Sequence, residues 1–391
     1  MLFRKCLLAS FAMLLGGAML LNTPAARASN QAIQQNQAPH VLNEMHAGIK
    51  KAIDELVKRK EVPGVLAQVV KDGKVWSYGA GQASIHSDRK MDPEFHFRIG
   101  SITKTFVATV MLQLAEEKKL SLDDSVEKWL PGVVQGNGYD GNNITIRQLL
   151  NHTSGIASYT TEDFAKRTVV ENPYRTYSAD ELIRLGLEQK PLFEPGKGWS
   201  YSNTGYVLAG AIIQKVTGKT YCDNIEERII HKLGLKGTSV AGAQSSLPDP
   251  HARGYVELED KQYIDITELN PSWANAAGDM ISTVKDLNVF FSSLLGGKLL
   301  SQESLAQMLD GMETPLGRPY GLGIVELTKR ADGESVWGHS GGIHGFHSQS
   351  GGTVGGNFVL SANINTLEVG ISTSNPYVEI FRAAFSGIDK P

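Results

Sequence analysis

Strand-like sequence stands near both ends of this chain and helix-like sequence fills the middle, an order that restricts the fold more than any other feature. Near the start, Val65-Leu66-Ala67-Gln68-Val69-Val70, Lys71-Asp72-Gly73-Lys74 and Val75-Trp76-Ser77-Tyr78-Gly79 spell a strand, a turn and a strand. Asp-Gly between apolar runs is a strong hairpin signal, because it tolerates the positive φ angles of a tight turn. Toward the other end, residues 320–327, 335–338, 345–348 and 358–363 are Gly-punctuated apolar segments that read as antiparallel strands, and 377–385 has the spacing of a closing helix. Helices are expected between them at 105–119, 144–150, 205–216 (stopped by Gly218) and 283–295, with an amphipathic one at 45–57. In 105–119 the apolar residues fall mostly on one side, so that face is expected to be core.

This order implies an α/β (α+β) architecture, an antiparallel sheet flanked by helices with an all-helical lobe inserted between its two parts. One domain is expected over 44–391, with the sheet drawn from roughly 62–100 and 318–370 and the lobe from roughly 101–300. A cleft between sheet and lobe is where a ligand belongs.

Residues 1–28 follow a different rule. Arg4 and Lys5 precede an apolar run from Leu7 to Leu21 and then Ala26-Arg27-Ala28, the layout of a cleaved export signal. The run is broken by Ser10 and Gly16-Gly17 and falls short of the ~20 residues that span a bilayer. A signal peptide is therefore expected at 1–28 and a flexible leader at 29–43, with the mature protein secreted or periplasmic and not stably inserted in a membrane. The net charge of −3 becomes more negative once Arg4, Lys5 and Arg27 leave, and no basic run offers a footprint for nucleic acid. Of the two cysteines, Cys6 lies in the signal, so Cys222 has no internal partner and reads as a small buried hydrophobe.

Three segments carry possible chemistry. Ser101-Ile102-Thr103-Lys104 opens the first long helix of the lobe, where residues three apart share a face and a serine lies near the positive end of the helix dipole. Alone, that spacing is common. Tyr201-Ser202-Asn203 precedes another helix, and Trp337-Gly338-His339-Ser340-Gly341-Gly342 starts a strand whose glycines permit close backbone approach. Neither Lys104 nor Tyr201 is a good base by itself: at pH 7, neutralising a lysine of pKa ~10.4 costs roughly 4.6 kcal/mol and ionising a tyrosine of pKa ~10 about 4. Buried side by side they would titrate as one unit. His339, His344 and His347 share no fixed face and have no accompanying carboxylate or cysteine spacing, so neither a metal nor another cofactor is expected. Trp273, Tyr320, Trp337 and Phe346 are candidates for either the cleft or the core.

In this order, S-I-T-K, Y-S-N and H-S-G resemble the three motifs of the serine β-lactamase and penicillin-binding family. They are most similar to the branch holding class C β-lactamases and serine D-Ala-D-Ala carboxypeptidases. The likeness extends from about Val65 to Asn365 and includes Asn151-His152-Thr153-Ser154-Gly155. It implies the β-lactamase/transpeptidase-like fold, Ser101 as nucleophile, Lys104 as its partner and Tyr201 as a proton relay. It also implies that Asn203 holds a substrate amide, that His339 stands where relatives place a lysine, and that Ser340-Gly341-Gly342 borders the substrate. The N–H groups of Ser101 and Gly342 would form the oxyanion hole.

The activity this implies is D-alanyl-D-alanine carboxypeptidase, acting on small peptides or peptidoglycan stem peptides and acylated by β-lactams. The rivals are a β-lactamase, an esterase, and a D-amino-acid-specific endopeptidase or aminopeptidase. A penicillin-binding sensor without turnover is disfavoured by the intact Ser101, Lys104, Tyr201 and Asn203. One departure bears on specificity. Carboxypeptidase relatives place an arginine in the strand before the third motif, where Val325 stands here; Lys329, Arg330 or a protonated His339 would have to serve instead.

Overall fold

At the hairpin turn Asp72 and Gly73 both take positive φ, 50° and 76°, which matches the twist of the flanking strands. The turn sets the register between β1 (Gly64–Lys71) and β2 (Lys74–Gly81), pairing Lys71 with Lys74 and Gly64 with Gly81. The protein is described here by a computed structural model covering residues 43–257, 262–315, 317–368 and 377–385. The expected signal peptide and nearly all of the leader lie outside the described residues.

Four strands from late in the chain complete the sheet: β3 (Val325–Lys329), β4 (Ser335–Ile343), β5 (Phe346–Thr353) and β6 (Phe358–Ile364). Their order is β3-β4-β5-β6-β1-β2, antiparallel throughout, so the last strand pairs with the first, Val65 opposite Ile364. The helices include α1 (residues 43–58), α2 (Thr103–Glu116), α3 (Asn203–Thr217), α4 (Val284–Leu295) and α5 (Tyr377–Phe385). In β6, Ser361 hydrogen-bonds Asn288 of α4, whereas Phe358 meets Phe385 of α5 with ring centroids 4.4 Å apart. Residues an odd number apart in a strand face opposite ways, so α4 and α5 cover opposite faces of the sheet. Gly48 of α1 faces Ala383 of α5, where an added β carbon would make ordinary contact at 3.5 Å.

Four expectations change. Helix α2 is buried on all sides from Thr103 to Leu114, not on one face, because it lies between β4 and the lobe helices; Phe106 stacks on Phe290 of α4 at 3.6 Å. The lobe is not wholly helical. It carries a short sheet of Phe97–Arg98, Met280–Ser282 and Ser239–Val240, and another in which Tyr255–Glu257 pairs with Tyr263–Asp265 and, in parallel, with Thr366–Glu368. The strand expected from Tyr320 begins only at Val325, because Gly323 takes φ 68° and turns the chain first. Conversely β4 and β5 run several residues beyond the expected 338 and 348, through glycine and serine that local propensity marks as poor strand formers.

Candidate active site

Gly100, at φ 50°, turns the chain out of Phe97–Arg98 into a single 3₁₀ turn, Gly100–Ile102, that runs directly into α2. The turn lies against β4 with no room for side chains. A β carbon on Gly341 would fall 1.9 Å from the Ile99 carbonyl oxygen and 2.8 Å from the Ser101 nitrogen, and one on Gly100 would fall 2.8 Å from the Gly342 carbonyl oxygen. Glycine on both sides therefore brings the Gly342 backbone beside Ser101, and the two residues line one narrow pocket.

Lys104 follows one turn later and is fully buried. Its Nζ lies 3.0 Å from Ser101 Oγ and 2.6 Å from the Ala277 carbonyl oxygen. The rest of its surroundings is aromatic, with Nζ 4.9 Å from the Tyr201 ring centre and 5.4 Å from that of Tyr206. Loss of water disfavours the ammonium form and pushes the Lys104 pKa well below its ordinary value.

Tyr201 enters from the lobe. Ser202 caps α3 by accepting a hydrogen bond from the Gly205 N–H, which fixes the preceding residue over Lys104. The Tyr201 phenol shares a hydrogen bond with Ser101 that favours its ionised form, but burial outweighs this and raises its pKa. Burial thus favours the uncharged form of both the lysine and the tyrosine. Asn203, the first residue of α3, donates from its side-chain amide to Thr160 Oγ1 at 2.9 Å, which leaves its amide oxygen to accept.

His339 is brought to the same region but does not bond to Ser101 or Lys104. Its Nε2 meets the Tyr320 hydroxyl at 2.9 Å and its Nδ1 the Ser340 carbonyl oxygen. Burial, followed by the nearby Lys104, lowers its pKa to about 3. Burial therefore disfavours a protonated His339 serving as a carboxylate-binding cation. Lys329 pairs with Glu326, and Arg330 pairs with Asp332 and Glu334, so both cations beyond the motif strand are engaged at the end of β3.

Sequence reasoning missed Tyr159 and Ala277. Tyr159 lines the pocket and donates its hydroxyl to the Trp273 carbonyl at 2.6 Å. Ala277 acts through its backbone carbonyl, a role no side-chain motif reports. Of the four aromatic candidates, Trp273 lines the pocket, Tyr320 bonds to His339, and Trp337 and Phe346 belong to the core. Among the described residues no group of three or more His, Cys, Asp or Glu side chains is placed to hold a metal ion. No described helix is long and apolar enough to cross a membrane.

Solved structures with the same fold include a D-stereospecific amidohydrolase from Streptomyces sp., 42% identical with a TM-score of 0.79 over 88% of this chain and 99% of that one. Another is the D-amino acid amidase of Ochrobactrum anthropi SV3 in complex with D-phenylalanine, 30% identical with a TM-score of 0.76 over 87% and 98%. Penicillin-binding protein 4* of Bacillus subtilis (strain 168) is 31% identical over 288 residues, 70% of this chain, but the match spans only 61% of that protein. The Beta-lactamase family model matches residues 49–367, a stretch that takes in every element supplying a side chain to the site, and the chain accordingly belongs to that family of serine hydrolases.

Proposed function

We propose that Ser101 is the nucleophile of an exported amidohydrolase acting on D-configured substrates whose leaving group carries no charge, such as amides, esters and extended peptides. Lys104, as the free amine, takes the Ser101 proton while Oγ adds to the substrate carbonyl. The oxyanion is held by the N–H groups of Ser101 and Gly342. Collapse breaks the bond to the leaving amine or alkoxide, which receives the proton through Lys104 and Tyr201, and leaves an ester on Ser101. Water then hydrolyses that ester with the same groups acting in reverse. Asn203 accepts a hydrogen bond from the substrate amide.

The observation that carries this reading is the charge of the pocket. Ser101, Tyr159, Asn203, Trp273, Gly342 and Ile343 line it, and none is cationic. A substrate carboxylate would enter without a charge-assisted partner, losing roughly 1.5–3 kcal/mol. Two of the solved structures that this chain spans almost end to end are a D-stereospecific amidohydrolase and a D-amino acid amidase, which supports the same direction. The second reading is D-alanyl-D-alanine carboxypeptidase, favoured by the H-S-G form of the third motif and by similarity to penicillin-binding protein 4*.

One experiment separates them. The purified protein and its Ser101→Ala variant are given a D-Ala-D-Ala peptide as free acid, the same peptide amidated at its C-terminus, a D-amino acid amide and its L counterpart, and a chromogenic cephalosporin. The proposal expects D-selective turnover by wild type only, a preference for the free acid below about tenfold, and covalent cephalosporin labelling that Ser101→Ala lacks. A preference for the free acid above about 100-fold in kcat/KM establishes the carboxypeptidase instead. Rapid cephalosporin turnover makes it a β-lactamase.

A further inference from the structure

Behind Lys104 and Tyr201, groups with no part in that scheme form an unbroken hydrogen-bonded chain. The Ser202 N–H lies 3.2 Å from His152 Nδ1, and His152 Nε2 lies 3.1 Å from the Tyr320 hydroxyl. That hydroxyl lies 2.9 Å from His339 Nε2, and His339 Nδ1 bonds to the Ser340 carbonyl oxygen. With both rings neutral, one arrangement of protons satisfies every link. A backbone N–H can only donate, so His152 Nδ1 is unprotonated and Nε2 carries the hydrogen. A carbonyl can only accept, so His339 Nδ1 carries the hydrogen and Nε2 receives the single hydrogen of Tyr320. A further proton on His152 would set two donors face to face, and one on His339 would force Tyr320 to turn its hydrogen away from that ring toward Tyr206.

The chain ends on the two walls of the site. Ser202 separates Tyr201 from Asn203, and Ser340 precedes Gly341 and Gly342 on β4. His152 also packs on the Tyr201 ring, with centroids 4.3 Å apart. We propose that Tyr320, with His152 and His339, is a positioning residue: the chain ties the Tyr201 segment of the lobe to β4 and holds both rings neutral in opposite tautomers beside Lys104. The inference rests on the reading of Ser101, Lys104 and Tyr201 given above. The titratable groups packed around the two rings are Lys104, Tyr201, Tyr206 and Tyr320, and burial acts on each to favour its uncharged form. Among the described residues no carboxylate contributes to the electrostatics of either ring.

The test has two arms. In the full protein labelled with ¹⁵N-histidine, nuclear magnetic resonance at pH 5.5 should show His152 protonated at Nε2 alone and His339 at Nδ1 alone. A charged ring, or the opposite tautomer at either residue, overturns the proposal without involving activity. In the second arm, Tyr320→Phe keeps the ring but removes the link. It should lower kcat about 10- to 100-fold with KM nearly unchanged, and should add an inflection to the acid side of the pH–rate profile as His339 Nε2 becomes free to titrate. Wild-type kcat and an unaltered profile in the folded variant overturn the proposal. Equal cephalosporin labelling of wild type and Ser101→Ala overturns the catalytic reading alone, since the histidine resonances do not depend on it.

Discussion

The Lys104 amine sits closer to the Ala277 carbonyl oxygen, at 2.6 Å, than to the Ser101 hydroxyl, at 3.0 Å. A free amine has two hydrogens and one lone pair, so a backbone acceptor can hold it while the lone pair faces the serine proton. Because burial lowers the Lys104 pKa, the free amine persists below the range of an ordinary lysine and is lost as pH falls through the lowered value. A pH–rate profile for amide hydrolysis should therefore rise from acid pH and level off before pH ~10.4. Lys104→Arg should be inactive at every pH, since a guanidinium does not deprotonate.

Tyr201→Phe keeps the ring that packs on His152 and lies beside Lys104 while removing the hydroxyl that bonds Ser101. A loss of kcat on the order of 10²-fold is expected, with the melting temperature close to wild type. Near-normal turnover would leave Lys104 to manage the proton by itself.

Gly341 and Gly342 should respond oppositely to alanine. At 341 the new methyl meets the rigid backbone of Ile99 and Ser101, whereas at 342, which is exposed, the nearest atom is a Leu367 methyl at 3.2 Å. Gly341→Ala should cost several kcal/mol, as overpacking against backbone does, and should slow β-lactam acylation sharply. Gly342→Ala should fold and melt nearly as wild type. Thermal melts and acylation rates measured on both variants provide the check.

Asp279, two residues beyond Ala277, is buried with its carboxyl bonded to the Tyr221 hydroxyl at 2.6 Å, and burial raises its pKa to about 7. The folded protein binds this proton more tightly than the unfolded chain does. The stability it contributes is present at pH 4 and is lost as pH rises through 7. Asp279→Asn removes the dependence, so its melting temperature relative to wild type should be higher at pH 8 than at pH 5.

Export carries its own expectation. If Ala26-Arg27-Ala28 is a cleavage site, N-terminal sequencing of protein from the cell envelope or medium should begin at Ser29. A retained Met1 would show that the apolar run stays attached.

Features of the site that depend on short-range geometry were legible in the sequence. Ser101 and Lys104 meet because one helical turn separates them, and Gly218 ends α3 in the left-handed conformation that glycine favours. The Asp-Gly turn and the closing helix likewise follow from local patterns. Features set by distant neighbours were not. The glycines of β4 weaken it as a strand, yet they are required by a turn more than 200 residues earlier, a relationship visible only once Ile99 and Gly341 are in contact. Ala277 and Tyr159 act through placements that the loops around them create, and Thr103, Thr105 and Thr109 make α2 look amphipathic although tertiary packing buries them.

Joining Val65 to Ile364 at the centre of the sheet also governs when the molecule can exist. Until β6 has been synthesised, β1 has only its hairpin partner, and the unpaired edge of that hairpin offers its amides and carbonyls to any passing strand. Sequence-distant pairing of this kind makes folding slow. A chain still lacking its last strands cannot close the sheet. The same topology leaves the pocket at Ser101 incomplete in a truncated product, because Gly341 and Gly342 arrive long after Ser101 has been made.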